Sequence, residues 1–175
     1  SGSPSPTTAQ HVYADMNGRI PLIIDGGECK NGVESTVICF TDGGTGIKVL
    51  RPGVITAEML SRFAKTETDK NVFAKPDENE KVISPGVKYK HYSPRADITI
   101  IETDSDEKLA EFLNSKNDGT TYGVIFGGEK GIEVPTISYG NTAQEQAHNL
   151  FAVLRKTDEL GAKRAYVRCP EKTGV

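Results

Sequence analysis

Between Ser84 and Arg95 the chain reads Ser-Pro-Gly-Val-Lys-Tyr-Lys-His-Tyr-Ser-Pro-Arg, setting two lysines, two phenols and an imidazole between two prolines, with a third cation, Arg95, just after the second. Pro85 and Pro94 exclude a helix interior and bias the residues before them toward extended backbone. Side chains then alternate, with Lys88, Lys90 and Tyr92 on one side and Tyr89 and His91 on the other. Cations and phenols in that order are the chemistry of a strap facing phosphate. The competing reading is a solvated linker whose charges only keep it wet.

Three further groups could do chemistry. Ser5-Pro6-Thr7-Thr8 opens an amphipathic stretch that runs to Met16 and stops at Asn17-Gly18. Ser5 is expected as its N-cap with Pro6 at the first helical position, an arrangement whose free amides favour an anion. Ser35 sits in Glu34-Ser35-Thr36, where a strand-end hydroxyl either meets a ligand or bonds to its own sheet. Arg51 precedes Pro52-Gly53, and its planar fork suits phosphate, although an arginine at a strand end is often simply solvated.

Metal chemistry has no framework. His11, His91 and His148 are scattered, and Cys29, Cys39 and Cys169 form no Cys-x-x-Cys pair, so no protein-ligated metal is expected. An odd cysteine number without a secretory segment reads as a reduced, cytoplasmic protein. The formal net charge of −3 speaks against a general nucleic-acid binder. No apolar run approaches the roughly 20 residues of a membrane span.

The elements that must position these groups follow from periodicity. Ile20 to Ile24 and Val33 to Phe40 read as strands, and Asp42 to Gly46 as a turn into Ile47 to Leu50, forming a hairpin. Thr56 begins a short helix over Ala57 to Ala64, and Lys65 to Lys81 reads as a mobile polar connection. Beyond the strap, Ile98 to Ile101, Tyr122 to Phe126 and Ala165 to Arg168 read as strands. Between them lie a helix over Asp106 to Leu113, with Leu109, Phe112 and Leu113 on one face, and a helix opened by the capping box Thr142/Glu145 and closed by Gly161. That second helix carries Ala147, Leu150, Phe151 and Leu154 at core spacing. Strands alternating with helices make this a small, mostly parallel, doubly wound sheet. It has no Gly-x-Gly-x-x-Gly fingerprint, and Gly127-Gly128 reads as a turn.

Five motifs in order carry a resemblance: Ser-Gly-x-x-Ser-Pro-Thr-Thr at Ser1 to Thr8, Ile-Asp-Gly-Gly at Ile24 to Gly27, Gly-Val-Glu-Ser-Thr at Gly32 to Thr36, Leu-Arg-Pro-Gly at Leu50 to Gly53, and the strap from Ser84. Together they resemble the long form of threonylcarbamoyl-AMP synthase, in which a strap joins a YrdC-like catalytic domain to a smaller Rossmann-like domain. The resemblance implies an α/β chain with residues 1–83 as the later part of the YrdC-like domain, 84–96 as the strap and 97–175 as a shortened Rossmann-like domain. It also implies that relatives begin before Ser1 and end after Val175, so this chain is read as an internal fragment that is not expected to be active alone.

The family joins L-threonine, bicarbonate and ATP, with Mg²⁺ accompanying the ATP, into threonylcarbamoyl-AMP and pyrophosphate. A downstream transferase places the threonylcarbamoyl group on tRNA. By motif position Ser5, Arg51 and Tyr92 would contact ATP and Ser35 threonine, with Lys88, Lys90 and His91 as further strap contacts over the cleft; no residue is singled out as catalytic. Cys39, standing where relatives often carry aspartate, is read as buried packing. Three alternatives stay open: a carbamoyl-adenylate enzyme of hydrogenase maturation, which should lack the strap; an RNA-binding YrdC-like module, with a weak RNA contact as its sign; and a second domain that senses a small molecule or docks a partner.

Overall fold

The computed structural model describes residues 2–72 and 93–170. Tyr92, His91, Lys90, Lys88 and the end after Pro170 therefore lie outside the described residues. The chain divides into two compact units, one joining residues 2–32 to 93–170 and the other holding residues 33–72.

In the unit of residues 33–72, β1 (Val37–Thr41) and β2 (Gly46–Arg51) form the expected antiparallel hairpin, closing with Thr41 opposite Gly46. Asp42, Gly43 and Gly44 all adopt positive φ, at 52°, 68° and 103°. Two glycines with an aspartate are what such a turn requires. The expected strand from Val33 begins only at Val37, because residues 34–36 are pulled aside by the far end of β2, as described below. β3 (Lys65–Thr68) runs parallel to β2, which corrects the reading of Lys65 to Lys81 as a mobile connection from its first residue. Thr66 and Thr68 alternate inward, and Glu67 pairs with Lys48 on β2 at 3.0 Å. β-branched threonines at period two were the available signal. Helix α2 (Ala57–Ser61) is capped by Thr56, whose hydroxyl accepts from the Met59 amide at 3.2 Å, and it stops short of Ala64.

The other unit is built on a four-stranded parallel sheet, β4 (Asp97–Ile101), β5 (Thr121–Ile125), β6 (Thr136–Ser138) and β7 (Arg164–Arg168), in the order β4-β7-β5-β6. Side-chain alternation splits the core into two faces. Leu109 and Leu113 of α3 (Asp106–Ser115) pack with Ile125 and Val134 on one. Val153 of α4 (Ala143–Glu159) packs with Val124, Tyr139, Ala165 and Val167 on the other. The sheet is doubly wound, as expected; the short strand β6 carried too little pattern to be read. Phe112 is half-exposed and meets Tyr166 edge-on at 5.2 Å between ring centroids. The Thr142/Glu145 capping box is formed in both directions, and Gly161 ends the helix at φ 71°.

Residues 2–32 pack on α4. Helix α1 (Ala9–Met16) is capped by Thr8, whose hydroxyl accepts from the His11 amide at 3.2 Å. The cap is thus three residues later than the expected Ser5, and Pro6 stands outside the helix. Ile20 to Ile24 is not a strand: Pro21 removes a ladder donor, and Leu22 and Ile24 are 72% and 85% exposed.

Candidate functional site

Ser35 and Arg51, chosen separately, meet. Arg51 at the end of β2 donates from Nε to the Ser35 carbonyl and from Nη2 to Ser35 Oγ, both at 3.0 Å. The same Nη2 lies 3.4 Å from Glu34 Oε2. Arg51 is therefore no freely solvated strand end. Its Nη1 has no partner among the described residues, which leaves one edge of the fork for an anion. Thr36 completes the turn, its hydroxyl donating to Ile55 O at 2.7 Å and accepting from Ile55 N at 3.0 Å.

Gly53 explains why two motifs occur together. A Cβ there would sit 2.5 Å from Thr36 N and 2.7 Å from Ser35 C, distances that no side chain tolerates against backbone. Leu-Arg-Pro-Gly and Gly-Val-Glu-Ser-Thr are two sides of one close contact. Glu34, which the residue-by-residue reading passed over, is part of it; its place beside Ser35 in the motif was the signal. Cys39, on β1, is half-buried rather than fully packed away, and it is a free thiol.

Ser5 stands in the other unit. It is half-buried, and its carbonyl accepts from Arg155 Nε at 3.3 Å. Two residues on, Thr7 is 3% exposed; its amide donates to His11 Nδ1 at 3.2 Å, its hydroxyl lies 3.2 Å from the same atom, and its carbonyl accepts from Cys29 N at 2.8 Å. Pro6, Thr7 and Thr8 line one wall of a cavity of about 350 Å³, and Asp25, Gly26 and Gly27 line another. That volume is at the lower end of small-molecule sites. Asp25 Oδ1 accepts from Gly27 N at 2.9 Å, and Gly27 adopts φ 87°, so the Asp-Gly-Gly turn presents backbone to the cavity. A second pair of motifs thus shares one pocket, with Asp25 as a member that sequence reading missed; His11 supports its wall through Thr7. Burial and the Arg155 guanidinium both hold the His11 imidazole below its ordinary pKa, which keeps its Nδ1 available to Thr7.

The strap enters the described residues only at its end. Ser93 donates its amide to Gly2 O at 2.9 Å, at the start of the Ser5 segment. Arg95 follows, bonding through its amide to Asp158 Oδ1 at 2.7 Å on α4. Tyr92, His91, Lys90 and Lys88 lie outside the described residues. Among the described residues no cluster of three or more His, Cys, Asp or Glu is arranged to hold a metal ion. No helix among them is long and apolar enough to cross a membrane.

A doubly wound parallel sheet carrying an N-terminal segment in one unit, and a small mixed sheet with an Arg-Ser-Glu cluster in the other, define the class as a mixed α/β protein. Comparison with known proteins sharpens it. Residues 55–175 match the profile of the threonylcarbamoyl-AMP synthase C-terminal domain, and residues 1–53 match the profile described as telomere recombination. The threonylcarbamoyl-AMP synthase of Pyrococcus abyssi is 36% identical over the whole chain, which covers 52% of that protein. The enzyme of the same name from Bacillus subtilis is 41% identical over 91% of the chain, covering 46% of the relative. Among solved structures, P. abyssi Sua5 complexed with L-threonine superposes with a TM-score of 0.80 at 34% identity, over 99% of this chain and 51% of that one. A variant of that protein with a histidine and the following tyrosine replaced by alanine gives 0.83. The chain belongs to the threonylcarbamoyl-AMP synthase family, and it spans about half the length of the relatives it matches.

Proposed function

We propose that this chain supplies the later part of an L-threonylcarbamoyladenylate synthase, a cytoplasmic enzyme serving threonylcarbamoyladenosine formation in tRNA. The threonine amine adds to bicarbonate carbon with loss of water, and an oxygen of the resulting carbamate attacks the α-phosphorus of ATP, releasing pyrophosphate. The observation that carries this reading is the Ser35–Arg51 pair, in a chain that superposes throughout on half of a relative holding L-threonine.

Ser35 contacts threonine in this reading, its hydroxyl held in place by Arg51 Nη2. Arg51 keeps Nη1 for a phosphate oxygen, where a fixed guanidinium gains a charge-assisted bond. Ser5 contacts ATP in this reading, directly preceding Pro6, Thr7 and Thr8, which line the cavity shared with Asp25 to Gly27. Tyr92 of the strap contacts ATP, with His91, Lys88 and Lys90 beside it. His91-Tyr92 is a histidine followed by a tyrosine, the same kind of pair that is exchanged in the P. abyssi variant. Closure of such a strap would shelter a hydrolysable carbamate from water. Mg²⁺ arrives with the triphosphate and neutralises its charge there.

Calorimetric titration of ATP·Mg²⁺ and of L-threonine, in the protein completed to the length of its relatives, tests this. Arg51→Ala and Tyr92→Ala are each expected to weaken ATP binding by about tenfold or more. Ser35→Ala is expected to weaken threonine. Unchanged ATP affinity in both of the first two variants would reduce the strap to a linker.

A further inference from the structure

The second domain has no role in the reading above, yet its longest helix does not stay within its own sheet. Gly32 donates its amide to Ala147 O at 2.9 Å, and Phe151 donates its amide to Gly32 O at 3.1 Å. The His148 ring meets Lys30 O at 2.8 Å. One helical turn further, Arg155 closes a fork on Asp15 of α1, Nη1 to Oδ1 at 3.0 Å and Nη2 to Oδ2 at 2.5 Å, while its Nε reaches Ser5 O. The Arg155 side chain is only 10% exposed. A bidentate pair whose arginine is nearly buried, with the third donor also used, is a geometric clamp even though Asp15 is 39% exposed.

We propose that Arg155 is a positioning residue for the nucleotide: the second domain's α4 holds the Ser5–Thr8 segment from behind. This rests on the reading of Ser5 as an ATP contact. Among the ties that fix the segment are Thr7 to His11, Thr7 to Cys29, and Ser5 to Arg155. The first two ties belong to the segment's own neighbourhood. The third comes from α4, so the second domain contributes to catalysis by fixing where the phosphate-facing backbone stands, without touching substrate. An ammonium cannot reproduce the clamp, since it lacks the planar fork that reaches Asp15 and Ser5 together.

Two measurements decide it. In this chain, hydrogen exchange at the Ser5, Thr7 and Thr8 amides is compared with exchange across β5 and β7. Arg155→Ala and Arg155→Lys are expected to lose protection in the segment and keep it in the sheet. Should Arg155→Ala fail to fold, Asp15→Asn opens the fork while leaving the arginine stem in place. Unchanged protection at residues 5–8 overturns the clamp, whatever happens with nucleotide. In the protein completed to family length, Arg155→Ala and Arg155→Lys are expected to raise KM for ATP about tenfold while leaving KM for threonine unchanged. A fall in kcat with both KM values unmoved marks a lost active fraction and overturns the positioning role. If the unsubstituted protein itself does not use ATP, the reading of Ser5 fails, and the exchange result still decides whether α4 holds the segment.

Discussion

The surroundings of two candidate site residues, Ser35 and Ser5, are held in opposite ways. Around Ser35 the ties seen among the described residues are near in sequence: Arg51 reaches back 16 residues, and Ile55 meets Thr36 across 19. Around Ser5 the decisive tie is Arg155, 150 residues away. One site is assembled by a hairpin that folds on itself, and the other is finished only when a distant helix docks. The first should tolerate loss of the second domain's contacts, and the second should not. Local closure costs little chain entropy, whereas the remote clamp relies on a helix already packed on its own sheet.

The strongest way to break this contrast is to add one methyl group on each side. Gly53→Ala drives a Cβ against Thr36 N and Ser35 C, backbone on both counts. It is expected to cost about 3 kcal/mol, read by urea unfolding and by loss of exchange protection in β1 and β2. Gly32→Ala drives a Cβ to 2.8 Å from His148 C and nearer still to the carbonyl oxygen, again backbone with nowhere to go. Its expected effect is different in kind: residues 2–32 lose protection while β5 and β7 keep theirs. If Gly32→Ala melts the sheet as well, the segment is part of that core and the contrast fails.

A smaller perturbation sharpens the local side. Thr36→Val removes a hydroxyl that both donates to and accepts from Ile55, at a cost of about 1–2 kcal/mol. The loss should appear in residues 33–72 alone, and exchange at Ser5, Thr7 and Thr8 should be unmoved. Protection lost at both places would mean that the two sites fold as one.

Legibility followed the same division. The hairpin, the capping box at Thr142 and the doubly wound sheet were readable because each is written in nearest neighbours and in a period. Ser5 as a cap was misread because Ser, Thr and Thr within four residues all suit that position; the helix starts where His11 finds Thr8, a choice no propensity fixes. Ile20 to Ile24 has strand composition, yet Pro21 and the exposure of Leu22 and Ile24 keep it out of any described sheet. α4 shows the limit most clearly. Core spacing pointed to Leu150 and Leu154, which are only half-buried, while Gln146, Arg155 and Thr157 are buried. A helix packed on a sheet and on a second segment loses its single apolar stripe, and its buried polar residues then report contacts that periodicity cannot name. Arg155 is the case that matters, since charged residues are seldom buried unless paired, and its partner lies at the far end of the chain.

The gentlest test of that docking uses a proton. His11 on α1 is held below its ordinary pKa first by burial and then by the Arg155 guanidinium, while Glu159, Asp15 and Glu28 push the other way. A lowered imidazole pKa means that the fold favours the neutral ring. Stability from this source is full above the unfolded value of about 6.5 and falls as pH drops through it toward the folded value. Two substitutions on α4 should therefore move His11 in opposite directions in an NMR titration. Arg155→Ala removes a cation and loosens the burial, so the pKa rises. Glu159→Gln removes an anion that supports the charged ring, so the pKa falls further, and the change is small because Glu159 is exposed and pairs with Lys156. Glu159 touches neither Ser5 nor Asp15 in the clamp, so its removal reads the proximity of α4 to α1 without disturbing it. A His11 that ignores Glu159→Gln would mean that α4 does not stand beside α1 in solution, and the remote half of the contrast would fall with it.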